Sequence, residues 1–171
     1  MSEQISLIEK QQQHALSISK TAGTMQLGKV MGPSYQAIIA HLEDNGIKMS
    51  EENIPFTKYN EIDWEKSNKK SLFSFIQMMF FQKWVMNIGI PCPESVPEKE
   101  DIKKMTLEAG KYLRAIHKGP YMKVGDTYKL IQKFAEDKKL KLKNYSIEFY
   151  LNDPREVSAS DLETEVLVPV K

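Results

Sequence analysis

Val124-Gly125-Asp126-Thr127-Tyr128-Lys129-Leu130-Ile131-Gln132-Lys133-Phe134-Ala135 carries an apolar stripe at Val124, Tyr128, Ile131 and Ala135. The spacing i, i+4, i+7 and i+11 marks one face of an amphipathic helix, placed at about 121–138. An earlier stripe, Met31, Tyr35, Ile38 and Leu42, has the same spacing and lies 93 residues upstream at every position. It predicts a first helix at about 25–45, stopped by Asn45 and Gly46, with Pro33 in its opening turns. A constant offset between two helices is the mark of an internal repeat.

The flanking segments follow the same order in each half. Leu16 and Ile18 alternate with Ser17 and Ser19, which reads as a strand from His14 broken by Gly23. After the first helix, Ile54–Tyr59 reads as a strand and 71–86 as two more; residues 105–117 form the strand before the second helix, with Gly110 as a bulge. Ser146–Leu151 and about 163–170 follow that helix. Tyr59 and Tyr150 are 91 apart, so the offset drifts by two residues. The expected fold is α+β: duplicated β-α-β-β units forming two antiparallel sheets, helices on one side, and a groove between the halves. The units span 14–90 and 105–171. A linker at 91–104 holds Pro91, Pro93 and Pro97, and the polar residues 1–13 are a lead-in.

Composition narrows the function. The 171 residues carry 24 Lys and Arg against 23 Asp and Glu, a formal charge of +1, so no global field favours a polyanion. Direct nucleic-acid binding is not expected, nor is membrane insertion: the longest apolar run, Met78–Phe81, is far short of a span. The single Cys92 forms no internal disulfide, and with His14, His41 and His117 it matches no zinc spacing. No metal or cofactor is expected, and the absence of an N-terminal leader pattern reads as cytoplasmic.

His117-Lys118-Gly119-Pro120-Tyr121, the helix with Tyr128, Ile147-Glu148-Phe149-Tyr150-Leu151-Asn152-Asp153-Pro154-Arg155 and Thr164-Glu165-Val166-Leu167-Val168-Pro169-Val170 occur in this order. Together they resemble the GyrI-like small-molecule-binding family, the effector-binding domain of bacterial multidrug-responsive regulators. The resemblance covers 105–170 strongly and 14–90 in order. It implies a groove lined by aromatics and one acidic residue, and a small apolar, cationic ligand that is sensed or sequestered. It also implies two alternatives: a hydrolase of electrophiles such as cyclopropane-containing toxins, or an inhibitor of a protein partner such as a topoisomerase.

Strand alternation independently puts Ile147 and Phe149 on one face and Glu148 and Tyr150 on the other. If the first pair packs on the helix, the second faces the groove. A carboxylate among aromatics either attracts a cation or, with a raised pKa, acts as a general acid or base. Glu148 is the charge candidate, matching the acidic position of the family's Glu-x-Tyr strand motif; its repeat mate is Thr57. In an enzyme, Glu148 and Tyr150 would be catalytic. Ligand-binding candidates besides these are Tyr59, Tyr112, Tyr121, Phe75 and Trp64, the last as a flap. Glu165 is a second carboxylate candidate, open to groove or solvent.

Overall fold

The computed structural model describes residues 5–64 and 82–171. Ten elements organise them: β1 (Ser6–Lys10), β2 (Gln13–Gly23), α1 (Leu27–Asp44), β3 (Phe56–Asn60), β4 (Lys83–Pro91), β5 (Lys103–Leu107), β6 (Gly110–Lys118), α2 (Val124–Asp137), β7 (Ser146–Tyr150) and β8 (Glu163–Pro169). Phe75 and the 71–81 part of the expected strands lie outside the described residues.

Instead of two sheets there is one. The strands hydrogen-bond in the order β1-β6-β8-β7-β3-β4-β2-β5, every pair antiparallel. The join is the β3–β7 ladder, Phe56–Tyr59 against Ser146–Phe149, which removes two edges that separate sheets would leave unpaired. From the join outward each half reads alike: β3-β4-β2-β5 on one side, β7-β8-β6-β1 on the other. The expected strand at 105–117 is also two strands. β5 and β6 lie near opposite edges, and Gly110, at φ +150, opens β6 instead of forming a bulge. Residues 6–10, within the expected lead-in, run along β6 as β1.

Two short links oblige this sheet to curl. Only residues 11–12 join β1 to β2, and only 108–109 join β5 to β6. Each link spans at most about 11 Å of chain, whereas strands six places apart in a flat sheet are separated by about 29 Å. The edges must therefore approach. Inside the curl, Ala15 of β2 and Leu107 of β5 pack with Tyr112 of β6, Phe56, Tyr145, Ile147, Phe149 and Leu167. Lys10 and Lys58 lay their ammonium groups over the Phe149 and Tyr145 rings, 4.8 and 4.2 Å from the centroids.

The helices cover the outer face. α1 buries Ile38 and Leu42 against Leu16, Ile18 and Ile90, while α2 buries Ile131 and Ala135 against Leu113, Ala115, Val166 and Val168. Their facing residues alternate with those of the inner cluster, as strand geometry requires. Pro33 lies within α1, on its exposed side, where its missing amide removes one helical hydrogen bond. Among the described residues no helix is long and apolar enough to cross a membrane.

Candidate functional site

The central ladder presents Thr57 and Tyr59 from β3, and Ser146, Glu148 and Tyr150 from β7, to the helix side. Thr57 and Glu148 are direct cross-strand partners. Glu148 is only 6% exposed. Its Oε1 accepts a hydrogen bond from the Tyr128 hydroxyl of α2 at 2.8 Å, and its Oε2 accepts one from Tyr150 at 3.1 Å. The Tyr128 oxygen also lies 2.8 Å from Ser146 Oγ. Burial pushes the Glu148 carboxyl up to about 7, against the downward pull of the Tyr128 and Tyr150 bonds. Burial, reinforced by the nearby Glu148 charge, holds the Tyr59 and Tyr128 hydroxyls well above their ordinary range, so both remain protonated at neutral pH.

Aromatic rings enclose this carboxylate. Tyr150 meets Tyr121 edge-on at 5.5 Å between centroids and Tyr35 of α1 edge-on at 6.3 Å. Its hydroxyl is 3.5 Å from that of Tyr59, whose ring meets Trp84 at 5.6 Å. Tyr121 is the most open member, 37% exposed in the short turn before α2. His117 steadies that turn: one ring nitrogen is 2.9 Å from Thr127 Oγ1 and the other 3.2 Å from the Pro120 carbonyl. Trp64 sits behind Tyr128, 6.0 Å between centroids, and donates its indole N–H to the Lys143 carbonyl. Gln132 of α2 in turn donates to the Trp64 carbonyl at 2.6 Å.

The structure thus brings Glu148, Tyr150, Tyr59 and Tyr121 together, with Trp64 against the outer side of Tyr128. Tyr112 is elsewhere. It is buried inside the curl, its hydroxyl donating to the Glu108 carbonyl at 2.8 Å, because its parity on β6 is opposite to that of Leu113 and Ala115. The premise that Ile147 and Phe149 pack on a helix is likewise corrected: both enter the inner cluster, which among the described residues contains no helix residue. Glu148 and Tyr150 face the helix layer at the gap between α1 and α2. Glu165 pairs with Arg114 and leaves the site. Tyrosine rings from β3, β7, α1 and the turn before α2 pack around Glu148. A small recess lies at the β2–β5 edge, lined by residues including His14, Cys92, Glu94 and Thr106, none of which belongs to the site.

Sequence reasoning overlooked Tyr35, Tyr128 and Ser146 as site residues. Tyr35 was legible only as a stripe position, and Tyr128 as a stripe position and as part of the segments that carry the family resemblance. The available signal was chemical: a tyrosine at the same place in both stripes puts a hydroxyl where a purely apolar helix face would use leucine. Among the described residues no cluster of three His, Cys, Asp or Glu is placed to hold a metal.

The sequence profile of the GyrI-like small molecule binding domain matches residues 3–171. The chain belongs to that family. No curated protein sequence matches it. Among solved GyrI-like folds, the C-terminal domain of EcmrR is 18% identical, with a TM-score of 0.79 over 100% of this chain and 99% of that domain. In the EcmrR–DNA complex the chain spans only 57% of the regulator. A hydrolase from Listeria innocua is 12% identical, with a TM-score of 0.69 over 98% of this chain and 91% of its own. SAV2435 bound to tetraphenylphosphonium is 14% identical, with a TM-score of 0.59 over 100% and 94%. At these identities the likeness is one of fold. Within the GyrI-like frame, a buried carboxylate fed by two tyrosine hydroxyls and ringed by aromatics can hold a cation or move a proton near neutral pH.

Proposed function

We propose that the protein binds a small apolar cation at Glu148, between α1 and α2, and so senses or sequesters it. The observation that carries this is the burial of Glu148 with, among the described residues, only tyrosine hydroxyls as hydrogen-bond partners and no cationic side chain to neutralise it. A carboxylate in that setting is unstable as an anion, which is why it titrates near 7; a bound cation supplies the missing charge. Tyr35, Tyr59, Tyr121 and Tyr150 give aromatic edges and faces suited to a delocalised or aryl-substituted cation. Tyr121, the most exposed of these rings, lies edge-on to Tyr150 at the outer side of the cluster. The tetraphenylphosphonium complex of SAV2435 makes an aryl cation the natural probe.

The halves support reading the fold as a duplication. Tyr35 and Tyr128 occupy equivalent stripe positions, and each hydrogen-bonds the central strand residue of its own half: Thr57 Oγ1 at 2.8 Å, Glu148 Oε1 at 2.8 Å. Thr57 and Glu148 are themselves 91 residues apart and paired across the join.

Calorimetric titration at pH 8 tests the reading. Glu148→Gln keeps the shape and removes the charge, so tetraphenylphosphonium affinity falls tenfold or more while neutral triphenylphosphine oxide is held as before. Equal cation affinity in both proteins rejects the site.

A second reading, a hydrolase of neutral electrophiles, is favoured by one observation, the carboxyl titrating near 7. There Glu148 takes a proton from water as general base, and Glu148→Gln lowers turnover by about 10² while binding persists.

A further inference from the structure

One polar atom beside the site has no partner. Thr164 Oγ1 is fully buried and makes no hydrogen bond among the described residues. Thr164 pairs directly with Tyr150 across β7–β8 and with His117 across β6–β8. Its parity on β8 is that of Val166 and Val168, which pack on α2, so its hydroxyl points to the same helix-side layer as Glu148 and Tyr150. Glu148 itself pairs with Val166, which makes Thr164 its diagonal neighbour, with backbones roughly 7–8 Å apart.

Natural interiors seldom bury a hydroxyl unpaired, because desolvation is then uncompensated. Valine would fill this position without that penalty. The neighbouring polar groups are already engaged: Tyr150 donates to Glu148, and the two His117 nitrogens face Thr127 and Pro120. Across the sheet join, the residue facing Tyr59 on β4, as Thr164 faces Tyr150 on β8, is Met86, so the hydroxyl belongs to the carboxylate-bearing half alone.

We propose that Thr164 is a ligand-binding residue that gives the Glu148 site a second polar contact. The preferred ligand is then a cation bearing a hydrogen-bonding oxygen or nitrogen a few bonds from its charged centre. This rests on the cation reading of Glu148 and refines it: Glu148 recognises the charge, the tyrosines the apolar body, and Thr164 the heteroatom. A site that hydrogen-bonds a ligand hydroxyl discriminates against the isostere lacking it, since otherwise its own group stays unpaired.

Matched phosphonium probes separate these contributions. Hydroxyalkyl-triphenylphosphonium ions with two to five carbons are compared with the alkyl ions in which methyl replaces hydroxyl, by calorimetry at pH 8. In the wild-type protein at least one hydroxyl compound binds about fivefold to tenfold tighter than its alkyl partner. Thr164→Val abolishes that preference and leaves alkyl-ion affinity unchanged. Thermal melting confirms that this variant is folded, with a melting temperature no lower than wild type because an unpaired hydroxyl has been removed. Thr164→Ser restores the preference. If Thr164→Val shows the same hydroxyl-to-alkyl ratio as wild type at every chain length, or no length shows a preference, Thr164 is not a ligand contact. Glu148→Gln makes the two failures distinguishable: when it weakens every ion equally, the cation reading stands and only the Thr164 contact falls; when it weakens none, the cation reading falls as well.

Discussion

Thr57 and Glu148 face each other across the ladder that joins the halves, each hydrogen-bonded at 2.8 Å to a tyrosine of its own helix, Tyr35 and Tyr128. The backbone arrangement is matched while the chemistry is not. One partner is a neutral hydroxyl, the other a carboxyl held in an environment that resists ionisation. The pair therefore presents a single ionisable group at the centre of a nearly matched backbone frame. Two facing carboxylates would share a proton and dilute that polarity.

The Glu148 carboxyl opposes folding at neutral pH. Its folded pKa of about 7 lies above the ordinary 4.5, so the native state holds a proton that the unfolded chain loses as pH rises from about 4.5 to 7. Stability contributed by this group falls across that window and stays lower above it, by on the order of 3 kcal/mol. Glu148→Gln is expected to match wild type at pH 4 and to exceed it at pH 8, read from denaturant midpoints at both values.

Cation binding should strengthen with pH. Below about 7 a ligand must displace the proton on Glu148, and above it the carboxylate is ready, so tetraphenylphosphonium affinity rises through the window and then levels. Tyr128→Phe removes a hydrogen bond that lowers this pKa, moving the rise to higher pH. Tyr35→Phe, whose hydroxyl bonds Thr57 instead, leaves the profile in place. Titrations from pH 5.5 to 9 on the two variants test the distinction; identical displacement in both contradicts it.

Tyr150 combines a ring contact with Tyr35 and Tyr121 and a hydroxyl bonded to the carboxylate. Replacing it with Ala is expected to weaken an aryl cation by roughly 1–3 kcal/mol through lost stacking and cation–π attraction. Tyr150→Phe retains the ring and recovers most of that affinity. Circular dichroism checks that both variants fold, and full affinity in Tyr150→Ala would assign the ring to packing alone.

Gly89 in β4 faces Phe56 of β3, and a Cβ there would meet the Phe56 ring at 2.5 Å and the Leu16 carbonyl oxygen at 2.9 Å. Neither neighbour can retreat, since Phe56 is wedged in the inner core and the carbonyl is backbone. Gly89→Ala should lower stability by roughly 1–3 kcal/mol, seen as a lower melting temperature.

What local sequence determined was periodic. The stripe at Tyr128, Ile131 and Ala135 folds as a helix because its 3.6-residue spacing leaves one apolar face to bury, and Glu148 and Tyr150 share a face because strand side chains alternate. The carboxylate with a tyrosine two residues on was readable for the same reason. Which face that was, and what covered it, was not. Tyr112 went inside the curl and Tyr128 reached Glu148 because the two-residue links at 11–12 and 108–109 draw the sheet edges together, turning one face into a closed core and leaving the other to the helices. Alternation assigns residues to faces in pairs but is blind to which side the sheet bends toward. Only the long-range pairing of β3 with β7, between residues some 90 positions apart, placed Thr57 opposite Glu148 and gathered the tyrosines of both helices around one buried charge.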